Sequence, residues 1–296
     1  MLAAVFPGQG SQKVGMAQAF YESSPAAKAV LDEAESALPG LLETMWQGPI
    51  ERLTLTENQQ PALVAAAASA YAAYLEAGGR RPDILAGHSL GEFSAHVAAG
   101  SLSVAQAVTL VHKRGRYMQE AVPEGRGAMA AVMKLAADAI EEIVGDIAGA
   151  EIANYNGDGQ TVISGEAEAI ALAVGKLQEA GARAIPLNVS APFHCSLMQS
   201  AADRLAQDLA NTNFAALQLP IVANVSARAF QDASQAHELL SKQVTSPVRW
   251  TESVREMRRL GVDEAIEFGS GKVLSGLIKR IDKSVAVRAI ENPEDI

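Results

Sequence analysis

The stretch ILAGHSLGEFSAH, residues 84–96, decides how the chain reads. Ile84–Ala86 is short and apolar, and a helix begins around Phe93, so Gly87-His88-Ser89-Leu90-Gly91 falls on a strand-to-helix turn. These five residues fit G-x-S-x-G. A sharp turn of this kind presents a serine hydroxyl, small flanking glycines let it close, and the next N–H lies at a helix N-terminus. Ser89 is therefore a candidate nucleophile, and the Leu90 N–H a candidate donor to a developing oxyanion. The plainer reading is a glycine-bounded turn carrying a solvated serine.

Outward from this turn, short apolar runs alternate with Ala/Leu/Glu stretches of helical period, the βαβ pattern of an α/β protein. Leu2–Phe6 reads as a first strand stopped by Pro7. Pro61 stands where a first helical residue is expected, and the apolar stretch runs to Ala77 before Gly78-Gly79. Val104–Ala121 reads as a further helix. The pattern changes at Pro123-Glu124-Gly125. From there the expected order is strand Ala128–Met133, helix Ala136–Ile147, strands Ile152–Tyr155 and Thr161–Ile163, helix Ala167–Ala180 and strand Ala184–Leu187. That is βαββαβ, a ferredoxin-like unit. It predicts a small subdomain over 125–190 inserted into a large domain built from 1–124 and 191–296. In the second part of the large domain, strands are expected at Ile221–Ala223, Ala265–Phe268 and Val285–Val287.

The chain has 296 residues, with 24 Lys and Arg against 34 Asp and Glu, a net charge of −10. A negative surface repels phosphate backbones and argues against general nucleic-acid binding. With 49% hydrophobic and 20% charged residues the composition is globular. The single cysteine, Cys195, excludes an internal disulfide and any multi-cysteine metal site. The run Ala62–Leu75 is alanine-built and too short to span a bilayer, and Met1–Phe6 is too short for a signal peptide. No membrane association and a cytoplasmic location are the expectation.

A serine nucleophile needs a base. His88 adjoins Ser89, so its ring points elsewhere, and His96 lies two turns along the same helix. His112 and His237 read as ordinary helix and surface residues. His194 follows Ser190-Ala191-Pro192-Phe193, where a strand ends and a proline redirects the chain, and it is the candidate base. Two glycine patterns carry nothing. Gly8-Gln9-Gly10 has Lys13 where a dinucleotide fingerprint needs its third glycine, and Gly269-Ser270-Gly271-Lys272 is followed by Val273, which cannot hold Mg²⁺.

Six segments together carry a resemblance: FPGQGSQ (6–12), GHSLGE (87–92), KRGRYMQEAVPEG (113–125), NYNGDGQTVISG (154–165), SAPFHCSLM (190–198) and EFGSGKVLSGLIKR (267–280). The chain resembles the malonyl-CoA:acyl carrier protein transacylase family, the acyltransferases of fatty acid and polyketide synthesis. The resemblance implies an α/β-hydrolase-like large domain with a ferredoxin-like insert. It implies Ser89 as the acylated nucleophile, His194 as its base, and the N–H groups of Gln9 and Leu90 as the oxyanion hole. Arg114 is then the partner of the malonyl carboxylate, the Gln243 carbonyl orients His194, and Asn156 shapes the pocket. Phe193, beside the base, would limit the acyl α-carbon to small substituents. Neither metal nor bound cofactor is implied; malonyl-CoA and acyl carrier protein are the expected partners of a monomer. Lys279, Arg280, Lys283 and Arg183 are candidates for docking the acidic carrier. A serine thioesterase shares the elbow but gives Arg114 no purpose. Cys195 reads as packing, on the assumption that 194–195 is helical.

Overall fold

The computed structural model describes residues 1–189 and 191–296. Ser190, where the expected small subdomain ends and the SAPFHCSLM segment begins, lies outside the described residues. The chain builds two sheets. The larger takes strands β1 (Leu2–Phe6) and β2 (Ile84–Gly87) from its first third. The smaller is β3 (Gly127–Met133), β4 (Ala150–Gly157), β5 (Gln160–Glu166) and β6 (Arg183–Pro186). The larger is completed by β7 (Ile221–Val222), β8 (Ala229–Phe230), β9 (Glu264–Phe268) and β10 (Ala286–Ile290).

The larger sheet runs β10-β9-β1-β2-β7-β8 and is parallel except for the β7–β8 hairpin. β1 and β2 are buried along their whole length, as strands covered by helices on both faces must be. The chain moves from β1 to β2 on one side and later returns to β9 on the other. Strand order therefore reverses around β1, and in open α/β sheets the carboxyl ends of the strands at such a reversal are where ligand sites form. Gln9 follows β1 there, and Ser89 follows β2. The smaller sheet is antiparallel in the order β4-β5-β3-β6, with helices Ala137–Gly145 and Ala167–Glu179 packed around its own apolar cluster. The fold is thus mixed α/β, with a parallel-dominated sheet and a separate antiparallel one.

Several boundaries differ from expectation for identifiable reasons. Pro61 does not open its helix: the helix spans Thr56–Glu76 with Pro61 inside it. An internal proline leaves the carbonyl four residues back without its donor. Here that carbonyl is Glu57's, and His112 Nδ1 donates to it at 2.8 Å. His112 is therefore no ordinary helix residue. The last strand begins at Ala286 and runs to Ile290, later than the expected Val285–Val287, because its pairing with β9 continues to Phe268. His194 has φ 60 and Cys195 φ −139, so this pair is a turn, not helix. Cys195 is still buried, its Sγ 3.1 Å from the Pro192 carbonyl oxygen.

The helix Val104–Glu120 crosses the start of the Thr56–Glu76 helix at Gly115. A Cβ added there would stand 2.5 Å from the Thr56 carbonyl oxygen and 2.8 Å from Glu57 Cα. Gly115→Ala should therefore destabilise the protein by about 1–3 kcal/mol in denaturant titration. Helix propensity alone would favour alanine by roughly 0.5–1 kcal/mol, so a net gain in stability would show that the crossing is looser than described.

Candidate active site

The elbow depends on close backbone approach. Ser89 adopts φ 52, a left-handed conformation that side-chain-bearing residues enter at a cost. A Cβ on Gly87 would meet the Gly91 carbonyl at 1.9 Å, and one on Gly91 would meet the Phe6 carbonyl oxygen at 2.1 Å. Both glycines of G-x-S-x-G are thus steric requirements: one lets the turn fold onto its own helix, the other lets that helix dock on the end of β1. Asn224, just past β7, braces the strained turn. Its Oδ1 accepts from the Ser89 N–H at 2.7 Å, and its Nδ2 donates to the Gly87 carbonyl at 2.6 Å.

Ser89 Oγ lies 2.8 Å from His194 Nε2. His194 Nδ1 faces two carbonyl oxygens, Gln243's at 2.9 Å and Ser246's at 3.2 Å. Carbonyls only accept, so the proton of a neutral ring belongs on Nδ1, leaving the Nε2 lone pair toward Ser89. Burial lowers the His194 pKa to about 3; the Arg114 charge pushes the same way, and the bond to the Gln243 carbonyl opposes both.

Arg114 is 1% exposed and sits directly over the serine. Its Nη2 donates to Ser89 Oγ at 3.1 Å and to Gln243 Oε1 at 3.1 Å, and its Nη1 donates to Gln60 Oε1 at 2.7 Å. Among the described residues no carboxylate forms an ion pair with it, and its Nε has no partner. Burial lowers its pKa to about 10, against the opposing pull of the Glu92 charge, so it stays a cation at neutral pH. Glu92, in the first turn after the elbow, is wholly buried. Burial lifts its pKa to about 7, while the Asn224 N–H, the Gln243 amide and the Arg114 charge oppose the rise.

The structure brings Ser89, His194, Arg114 and Gln243 into one cluster. Among the described residues the N–H groups of Gln9 and Leu90 have no acceptor; the Gln9 side chain is held by Gln59 at 2.5 Å. Phe193 is buried in the helical core next to His194. Asn156 reaches His88 Nε2 at 2.8 Å, fixing that ring away from the serine. His96 is buried against Ser101, and His237 bonds the Ala206 carbonyl. Lys113 and Arg116 pair with Asp208 and Glu120 at the surface. Sequence reasoning missed Gln60, Asn224 and the roles of the Glu92 and Gln243 side chains. Only Glu92 had a signal, as the last residue of GHSLGE. Among the described residues no group of three or more His, Cys, Asp or Glu side chains is placed to hold a metal ion, and no helix is long and apolar enough to cross a membrane.

A serine at a strand–helix elbow, a histidine nitrogen 2.8 Å from its hydroxyl and a buried arginine with no carboxylate partner make this a candidate site for acyl transfer through serine. The chain belongs to the acyl transferase domain family, whose sequence model matches residues 4–284. It is 44% identical to the malonyl CoA-acyl carrier protein transacylase of Bacillus subtilis (strain 168), over 100% of this chain and 95% of that one. It is also 44% identical to that of Escherichia coli (strain K12), over 98% and 96%. The crystal structure of an acyl carrier protein S-malonyltransferase from Vibrio cholerae O1 superposes with TM-score 0.96 at 44% identity, covering 98% of this chain and 97% of that one. A type II PKS acyl-carrier protein in complex with its malonyl-transacylase matches at TM-score 0.96 and 42% identity, with coverage of 99% and 97%.

The depressed His194 pKa sets a pH prediction. A lowered pKa keeps the ring neutral, and so basic, until the pH falls toward about 3. Inactivation of Ser89 by a serine-directed organophosphorus reagent should then slow by less than about threefold between pH 8 and pH 5. A histidine of ordinary pKa, about 6.5, would be only about 3% neutral at pH 5, and a drop of about thirtyfold centred near 6.5 would show that burial does not depress it.

Proposed function

We propose that this chain transfers the malonyl group of malonyl-CoA to the phosphopantetheine thiol of acyl carrier protein through a malonyl-Ser89 ester. His194 Nε2 takes the Ser89 proton as Oγ attacks the thioester carbonyl. The N–H groups of Gln9 and Leu90 stabilise the tetrahedral oxyanion, and the thiolate of CoA leaves with the proton returned by His194. The carrier thiol then gives its proton to His194 and attacks the ester, and Ser89 recovers its own. The buried Arg114 guanidinium, 3.1 Å from Ser89 Oγ with no carboxylate of its own, carries the reading. An acyl group on Oγ whose carboxylate lies one methylene beyond the ester carbonyl supplies the missing anion, and a guanidinium takes a carboxylate bidentately.

The same reading assigns the Gln243 carbonyl to orienting His194 and Phe193 to limiting the acyl α-carbon. It takes 1–124 with 191–296 as the catalytic domain and 125–190 as the inserted subdomain. It needs no cofactor or metal and works in a cytoplasmic monomer. Carrier docking is assigned to exposed Lys279, Arg280, Lys283 and Arg183; Arg280 reaches Gln160 at the β4–β5 turn, and Arg183 lies on β6 of the same sheet.

Two experiments test it. Incubation with malonyl-CoA should leave a malonyl ester visible by intact-protein mass, and Ser89→Ala should abolish it. Because nucleophile and base act as one unit, Ser89→Ala with His194→Ala should be little worse in transfer rate than Ser89→Ala, a loss on the order of 10³–10⁶. An adduct that survives Ser89→Ala refutes the assignment.

Arg114→Ala should cut kcat/KM for malonyl loading by roughly two to four orders of magnitude, because it strands a buried carboxylate at a cost of about 3–5 kcal/mol. Acetyl loading should hold or rise, since acetyl leaves the wild-type arginine unpaired. Equal losses for both substrates would make Arg114 structural.

A further inference from the structure

Glu92 has no part in the chemistry above, yet it lies wholly buried beneath Ser89. A carboxylate is a costly choice for such a position unless its oxygens are used. One of them is: Oε2 accepts from the Asn224 backbone N–H at 3.0 Å and from Gln243 Nε2 at 2.7 Å. Oε1 has no partner.

The Gln243 amide has two ends with opposite needs. A guanidinium only donates, so the end toward Arg114 must be the oxygen. The NH₂ end then requires acceptors, and it finds Glu92 Oε2 and, at 3.1 Å, the Ser89 carbonyl. The amide is thus stretched between a carboxylate on one side and a cation on the other. We propose that Glu92 is a positioning residue for Arg114: it anchors the Gln243 side chain, which holds the guanidinium over Ser89, so that selection of carboxylated acyl groups depends on a residue that touches no substrate. This rests on Arg114 being the carboxylate receptor.

Glu92→Gln and Glu92→Leu separate anchoring from packing. Glutamine can place its oxygen where Oε2 lies and its NH₂ where Oε1 has no partner. Leucine fills similar space without an acceptor. The readout is the malonyl-to-acetyl ratio of kcat/KM for loading Ser89. Glu92→Gln should stay within about threefold of wild type. Glu92→Leu should lower the ratio by about tenfold or more, the usual effect of losing a hydrogen bond that serves a charged group. Gln243→Met keeps the backbone carbonyl that faces His194, and it should lower the ratio equally. Adding Glu92→Leu to Gln243→Met should lower it no further.

An unchanged ratio in Glu92→Leu, or equal loss for both substrates, overturns the proposal. So does a fall in Glu92→Gln as large as in Glu92→Leu, or an additive double variant. Should Glu92→Leu not fold, Gln243→Met decides: a wild-type ratio there overturns the proposal. Failure of the receptor reading itself would show separately, as equal losses in Arg114→Ala.

Discussion

The helix that follows Ser89 starts so near the end of β1 that a single methyl at residue 91 would collide with the Phe6 carbonyl oxygen. This backbone approach governs the remainder of the site. It stacks the turn after β2 on the turn after β1, which brings Leu90 and Gln9 to the same end of the sheet. The same turn holds Ser89 in a left-handed conformation, at a cost of order 1–3 kcal/mol that the fold must offset. Asn224 contributes the offset from β7, tying both the Ser89 N–H and the Gly87 carbonyl. The strain and its brace therefore follow different strands, β2 and β7, of the larger sheet.

Gln243 is the second junction. Its backbone carbonyl accepts from His194 and its side chain touches Arg114, Glu92 and the Ser89 carbonyl. His194 and Arg114, the proposed base and carboxylate receptor, are thereby both tied to one residue at the end of the helix Ala236–Gln243. The arrangement suits the chemistry. A carbonyl orients the histidine without adding a negative charge that would compete for the arginine. Neutral amides from Gln60 and Gln243 accept from the guanidinium's terminal nitrogens without neutralising it. A buried cation held this way stays available to an incoming anion, and the low local dielectric strengthens that pairing.

Much of this was legible in the sequence where the constraint is local. The elbow, β1 and the βαββαβ order follow from short spacings of glycine, apolar and helix-forming residues, and the structure reproduces them. The site's long-range partners were not legible. Asn224 and Gln243 reach Ser89 across more than a hundred residues of chain, and nothing in their surroundings marks them. The Gln243 carbonyl came from family resemblance, not from spacing. Pro61 was misplaced because its missing N–H is compensated by His112, which lies on another helix. A local rule for proline cannot include such a partner. Glu92 was in plain view within GHSLGE, but an acidic residue in a helix's first turn has an ordinary explanation, and only its burial removes it.

The central claim is that a buried, unpaired arginine above the elbow serine recognises the acyl carboxylate. A crystal structure of the malonyl-loaded enzyme tests it most directly. The account predicts malonate esterified to Ser89 Oγ, its ester carbonyl oxygen within about 3 Å of the Leu90 and Gln9 N–H groups, and its free carboxylate bonded to both terminal nitrogens of Arg114. A carboxylate turned away from Arg114, or malonate attached to any other residue, would contradict it.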